Sequence, residues 1–217
     1  MSGYLADFDA RVRRFFESSP REHFEPGDTI IPPGGMTEHL CYLLEGSVSV
    51  VVQGPKGREM VLAYLKAGDF FGEMGMFTGE RMRSAAVRAR TAAEVARVSY
   101  ARAKAAVLTD PALLWAMVGQ MSIRLRDTTR KLGDLAFRDI AGRLARALNA
   151  LCEDVAAVRV PGGFQIDVSR TELCRLVGCS PQKMSRALRL LAERELIELR
   201  GRKIFVFSDD ARRPATA

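Results

Sequence analysis

The arrangement of apolar and polar positions changes character along the chain, and each change predicts a different kind of element. From about residue 20 to residue 100, glycines recur at short intervals: Gly27, Gly34, Gly35, Gly46, Gly54, Gly57, Gly68, Gly72, Gly75 and Gly79. Between them run short apolar or alternating stretches, clearest in Cys41-Tyr-Leu-Leu, Ser47-Val-Ser-Val-Val-Val and Met60-Val-Leu-Ala-Tyr-Leu. Alternation is the period of a pleated strand, whose successive side chains point to opposite faces. Short strands punctuated this regularly predict an antiparallel sandwich or jelly roll. Gln53-Gly-Pro-Lys-Gly falls between two of them and predicts a hairpin loop.

After Pro111 the period lengthens. Leu114, Val118, Met121, Leu125, Thr128, Leu132 and Leu135 follow one another at alternating steps of four and three. That is a heptad seam. Such a helix can lie on the core of its own domain, but a strict 3.5-residue repeat favours a parallel pair between two subunits. Thr128, with Thr129 beside it, interrupts the seam. A hydroxyl there costs stability unless something pairs with it, so it is a register device or half of a ligand site. A second helical unit is expected from Leu135 to Cys152. A turn at Pro161-Gly-Gly and a short run from Phe164 to Val168 follow.

Two short helical patterns then flank Val177-Gly178-Cys179. Ser169 or Thr171 can cap the first. Ser180 can cap the second, with Pro181 at the first helical position, where its missing N–H costs nothing. Leu173, Leu176 and Val177 face inward on one helix, and Met184, Leu188 and Leu191 on the other. Lys183, Arg186 and Arg189 make the outer face basic. Glycine in a three-residue turn between short helices predicts a helix-turn-helix. Ile197–Glu198 and Ile204–Phe207 predict a hairpin that completes a winged helix, with a frayed tail from Ser208 to Ala217.

Charge sharpens this division. The 217 residues carry a formal net charge of +7. From Arg138 onward there are 15 Lys and Arg against 10 Asp and Glu, a net of +5; the preceding part has 18 against 16, a net of +2. A basic C-terminal third suits a polyanion such as nucleic acid. No run approaches the roughly 18 apolar residues of a membrane span. The first 16 residues, dotted with Asp7, Asp9, Arg11, Arg13 and Arg14, lack the apolar stretch of a signal peptide. A cytoplasmic protein without a membrane partner is therefore expected. Cys41, Cys152, Cys174 and Cys179 form no metal-ligand spacing, and His23 and His39 are the only histidines. No metal is expected, and the cysteines read as small buried apolar residues.

One segment carries candidate chemistry. Gly68-Asp-Phe-Phe-Gly-Glu-Met-Gly-Met-Phe is followed by Arg83-Ser-Ala-Ala-Val. Gly72 and Gly75 permit close backbone approach and positive φ, and a turn after them can aim N–H groups at an anion. Arg83 offers a guanidinium fork for a phosphate, with Ser84 adding a hydroxyl. Glu73 suits a sugar hydroxyl rather than a phosphate. Together they describe a site for a phosphate with a ribose attached. A strand–turn–strand with a structural Glu73–Arg83 ion pair fits the same residues.

On Phe71-Gly-Glu with Arg83-Ser-Ala, Thr128-Thr-Arg-Lys-Leu-Gly-Asp-Leu-Ala-Phe and Val177-Gly-Cys-Ser, the chain resembles the cAMP receptor protein family of bacterial regulators (the Crp/Fnr superfamily) from about Phe24 to Phe207. The second motif is similar to the cAMP-binding, virulence-factor-regulator-like branch. The resemblance implies an α+β chain: a cyclic-nucleotide-binding jelly roll over 1–110, a dimerisation helix and hinge over 111–137, and a winged helix-turn-helix over 138–217. It implies that Gly72 and Glu73 hold the ribose and phosphate region of cAMP and Arg83 and Ser84 its cyclic phosphate. Arg124 comes near the ribose edge. Thr128 would meet the adenine from its own subunit and Thr129 from the partner helix. Ala63 stands where the family often has serine, which removes one base contact.

A homodimer on a palindromic DNA operator, with RNA polymerase as a further partner, is implied likewise. At the DNA face Pro181 and Gln182 replace the family's Arg-Glu pair. Arg186 is then the candidate for guanine and Gln182 for adenine, with Ser180, Lys183, Arg170 and Thr171 on phosphates. Some relatives in xanthomonads respond instead to cyclic di-GMP, for which Arg143, Arg146 and Arg159 offer a basic surface. A ligand-independent regulator keeps the same fold. An enzyme acting on a nucleotide lacks metal ligands and any nucleophile–base couple.

Overall fold

The computed structural model describes residues 12–36, 38–80, 82–153 and 157–207. The expected tail from Ser208 and the N-terminal residues through Arg11 lie outside them. The chain divides into two compact units, one covering most of the chain up to Thr129 and the other running from Arg130.

The first unit opens with a helical segment at 12–17, α1. Strands β1 (Arg21–Phe24), β2 (Thr29–Ile31), β3 (His39–Glu45), β4 (Ser47–Gln53), β5 (Glu59–Lys66), β6 (Phe70–Phe71), β7 (Ala86–Ala89) and β8 (Ala93–Ser99) follow, with helix α2 (Met74–Thr78) between β6 and β7. They form two four-stranded sheets, ordered β1-β8-β3-β6 and β2-β7-β4-β5. This is the expected jelly roll, and Pro55–Gly57 form a 3₁₀ turn in the expected β4–β5 loop. Helices α3 (Tyr100–Thr109) and α4 (Pro111–Phe137) close the unit.

β3 explains why its sequence is a continuous apolar run rather than a clean alternation. Cys41 and Leu43 join Ile31, Val48, Phe71, Val87 and Val95 between the sheets. Leu40, Tyr42 and Leu44 join Phe16, Phe70, Met76, Ala103, Leu113 and Met117 beneath the helices. A strand covered on both faces has no place for a polar position.

α4 seats only its first turns in that layer. Ala112, Leu113 and Met117 are its buried residues. Past them Leu125 is 69% exposed and Leu132 65%. The heptad positions Val118, Leu125, Leu132 and Leu135 thus form an apolar stripe exposed in the single chain.

The second unit contains α5 (Ile140–Cys152), β9 (Val158–Val160), β10 (Gly163–Asp167), α6 (Arg170–Val177), α7 (Pro181–Glu193), β11 (Ile197–Arg200) and β12 (Lys203–Phe207). Leu144, Leu148, Ile166, Leu173, Val177, Met184, Leu188, Leu191, Ile197, Ile204 and Val206 are all buried. The expected hairpin is part of a larger sheet, ordered β11-β12-β10-β9. One boundary differs from expectation. The helix does not give way at Asp134; α4 runs on to Phe137 and the break falls at Arg138–Asp139. Asp139 takes extended backbone and its carboxylate accepts from the Gly142 N–H at 2.7 Å. An aspartate in that role starts a new helix, because it satisfies an N–H that has no helical carbonyl. The Asp134 carboxylate accepts from Arg138 at 2.9 Å and Arg146 at 3.1 Å, tying the break to α5.

Candidate effector corner and nucleic-acid face

The corner of the first unit after β6 collects Gly72, Glu73, Arg83, Ser84 and Arg124. Gly72 has a φ of +78°, and a Cβ there would stand 2.8 Å from the Arg83 Nη1. The residue is glycine both for its backbone and because the guanidinium lies against it. Arg83 donates to the carbonyl of Gly72 at 2.5 Å and to that of His39 at 2.8 Å. Its head is therefore fixed by backbone rather than by a carboxylate. Its Nε is buried with no hydrogen-bond partner among the described residues, a condition shared by Arg97 and Arg143. A buried donor left unmatched costs about 1–3 kcal/mol, so an acceptor brought there is stabilised.

Glu73 does not pair with Arg83. It is 8% exposed, at the N-cap of α2 without capping it, and its carboxylate accepts from Arg124 at 3.2 Å. Arg124 also donates to the Phe70 carbonyl and to Gln120 Oε1. Of the two readings of this segment, the structural Glu73–Arg83 ion pair is excluded, and Arg83 keeps its charge uncompensated by Glu73. Ser84 is exposed, its hydroxyl 3.8 Å from the Met74 sulfur. Thr128 and Thr129 lie exposed on α4, one turn beyond Arg124.

Two residues of the corner carry no mark in the motif itself. The Tyr100 hydroxyl donates to the Gly72 carbonyl at 2.6 Å, and Arg83 lies over its ring at 5.9 Å from the centroid. Burial pushes the Tyr100 phenol up, so it keeps the proton this bond needs. Gln120 donates to the Gly68 carbonyl at 2.7 Å and accepts from the Phe70 N–H at 2.9 Å. Gln120 and Arg124 are four apart on the face that begins with Leu113 and Met117. Polar residues continuing a buried apolar face are the sequence signal for Gln120. Nothing local marks Tyr100.

In the second unit the helix-turn-helix is capped at α6 and turned by glycine. The Ser169 hydroxyl accepts from the Glu172 N–H at 3.1 Å, so Ser169 rather than Thr171 caps α6. Gly178, with φ 69° and ψ 47°, ends it in the left-handed region. Ser180 occupies the N-cap of α7 before Pro181, but its side chain makes no capping bond. Met184, Ala187, Leu188 and Leu191 are the buried positions of α7. Gln182, Lys183 and Arg186 are exposed, as are Arg170 and Thr171 at the start of α6. Long polar and cationic side chains on a helix held by a packed opposite face are what a major groove accepts.

A jelly roll with a polar, arginine-bearing corner, joined through one long helix to a winged helix-turn-helix, defines a ligand-responsive DNA-binding regulator. Comparison with known proteins agrees. Residues 21–110 match the cyclic nucleotide-binding domain family and residues 142–211 the Crp-like helix-turn-helix domain family. The chain is 43% identical over 190 residues to the cAMP-activated global transcriptional regulator Vfr of Pseudomonas aeruginosa, covering 86% of this chain and 89% of that one. It is 41% identical over 179 residues to the cAMP-activated global transcriptional regulator CRP of Salmonella typhimurium, covering 82% and 85%. A solved structure, the c-di-GMP responsive global regulator CLP of Xanthomonas campestris, superposes with a TM-score of 0.86 at 37% identity, covering 92% of this chain and 99% of that one. This chain belongs to the Crp family of transcription regulators, and the relatives it matches are regulators and not enzymes. Among the described residues no single helix is long and apolar enough to cross a membrane.

Proposed function

We propose that this chain is a cAMP-responsive transcription regulator that acts in the cytoplasm as a homodimer on a palindromic operator. The observation that carries the effector reading is Arg83. Its guanidinium is held by the carbonyls of Gly72 and His39, is not neutralised by Glu73, and keeps a buried Nε donor unmatched. A fixed, uncompensated fork beside the Ser84 hydroxyl suits a cyclic phosphate. Gly72 and Glu73, the latter steadied by Arg124, would then hold the ribose side. Thr128 and the partner's copy of Thr129 would meet the adenine where the heptad stripe is polar.

The exposed stripe through Leu125 and Leu132 supports pairing of α4 with a second copy. A ligand seated across that pairing shifts the two helices only as far as its affinity differs between their arrangements. The readout is the spacing of the two α7 helices, about 34 Å for successive major grooves. Arg186 and Gln182 would read base edges, while Ser180, Lys183, Arg170 and Thr171 would hold phosphates. RNA polymerase is the further partner that such a regulator addresses.

A second reading replaces cAMP by cyclic di-GMP. It is favoured by the likeness to CLP, which is c-di-GMP responsive. Calorimetric titration of the purified protein with cAMP, cGMP and cyclic di-GMP separates the two. Saturable binding of cAMP alone is the expected result. Binding of cyclic di-GMP without cAMP would overturn the effector and leave the DNA reading intact.

A further inference from the structure

α6 ends in a left-handed glycine cap that carries the 6→1 bond of a Schellman motif, and the two positions which that bond brings together are both cysteine. Gly178, in the left-handed region, donates its N–H to the Cys174 carbonyl at 2.9 Å. Cys179 donates to the same carbonyl at 3.1 Å. In this motif the side chain after the glycine packs against the one five residues back, usually as an apolar pair. Here the pair is Cys179 on Cys174. With N···O at 3.1 Å, backbone geometry keeps the two Cα atoms within about 7 Å, the span a disulfide can bridge. Both thiols are free and half-buried, and each influences the other's protonation. Cys179 is followed directly by Ser180 and Pro181, where α7 begins.

We propose that Cys174 and Cys179 are a redox modification site, a dithiol that a peroxide converts into an intrachain disulfide which displaces the first turn of α7. One thiolate attacks one peroxide oxygen; the O–O bond breaks, and the departing hydroxide takes up the thiol proton as water. The other thiolate then attacks the resulting sulfenic sulfur; the S–O bond breaks, and the second hydroxide leaves as water with the second proton. Two thiols lose two electrons and one peroxide is reduced to two waters. Burial pushes both thiols up; their mutual hydrogen bond lowers Cys174 and raises Cys179, while Arg143 and Lys183 pull Cys179 back down, so either sulfur can attack first. Non-bonded sulfurs in contact are roughly 3.5–4 Å apart and a disulfide about 2.05 Å, so closure moves the turn by on the order of 1 Å. Gln182 and Lys183 ride on that turn. This effect on DNA rests on the function proposed above; the disulfide itself does not.

The test treats the full chain with hydrogen peroxide and maps it without reduction. Trypsin cuts after Arg175, between the two cysteines, so the disulfide joins Thr171–Arg175 to Leu176–Lys183, peptides that separate on reduction. The joined pair, lost in Cys174→Ser and in Cys179→Ser, is expected. Either cysteine found only as sulfinic or sulfonic acid, or joined to Cys152, would overturn the proposal. Phenylarsine oxide, which bridges two adjacent thiols, provides a second measurement on the unmutated chain: one arsenical on this peptide pair supports the site, and none counts against it. For the consequence, an operator selected from random duplex DNA by the reduced protein should bind at least about tenfold more weakly after oxidation and recover with dithiothreitol. Equal affinity of the cross-linked and reduced forms would overturn the displacement of α7. Failure of the reduced protein to select any DNA would instead count against the DNA reading, with the peptide map still deciding the disulfide.

Discussion

The candidate effector corner and the proposed DNA face use the same kinds of side chain in opposite ways. In the corner, the polar groups are locked into one another: Glu73 to Arg124, Arg124 to Gln120, and Gln120 to the backbone of Gly68 and Phe70. On the DNA face, Gln182, Lys183 and Arg186 stand exposed on a helix whose stability comes from Met184, Leu188 and Leu191 behind them. Function and stability are therefore entangled in the first unit and separable in the second. A polar network in a low-dielectric corner loses more than one partner when a member is removed. An exposed side chain loses only what it touches.

Substitutions at four positions measure that difference. Arg83→Ala has the largest expected effect. It should weaken cAMP binding by at least about 3 kcal/mol, more than a hundredfold, in calorimetric titration, and Arg83→Lys should restore little of it because the fork is lost. Glu73→Ala comes next, as it removes the nearer carboxylate of Arg124 and leaves only that of Asp69, at 3.9 Å. A loss of about 1–3 kcal/mol in stability is expected from urea unfolding of the first unit, with ligand affinity falling alongside. An unchanged midpoint would show that the corner is less interlocked than its bonds indicate. Arg186→Ala should cost roughly 1–3 kcal/mol in operator binding and relax base choice at one position, read by selection from random DNA. Its unfolding midpoint should stay within about 0.5 kcal/mol of the parent, as for exposed sites elsewhere. Lys183→Ala has the smallest expected effect: a uniform weakening across DNA sequences, with the slope of log K against log salt reduced by about 1.

The same contrast decides how much of each half is legible in the amino-acid sequence. The DNA half is legible almost residue by residue, because caps, turn glycine and helical period are local signals. The extent of its sheet is hidden, since β9 and β10 pair across Pro161-Gly162 in strands too short to declare themselves, and Ser180 does not make the capping bond its position suggests. In the first unit the jelly roll is legible from glycine spacing, and so are the corner's residue types. Its pairing is not. Glu73 meets Arg124 across 51 positions, and Tyr100 reaches Gly72 across 28. No period or spacing encodes such partners; only the closing of the sheets brings them together. The end of α4 is misplaced by the sequence pattern for a related reason. Its apolar repeat ends at Leu135 while the helix runs on to Phe137, and the actual stop is a single capping carboxylate at Asp139.

β3 has a consequence for cooperativity. One strand supplies Cys41 and Leu43 to the layer between the sheets and Leu40, Tyr42 and Leu44 to the layer beneath the helices. Its Leu43 also exchanges backbone bonds with Gly68 and Asp69, next to the carbonyl that holds Arg124. Neither layer can open without stripping the other, so the sandwich, the helix layer and the effector corner unfold as one event. Amides of β3 should then exchange with solvent only through global opening. An effector bound at the corner would slow that exchange throughout the first unit, including strands that it never touches.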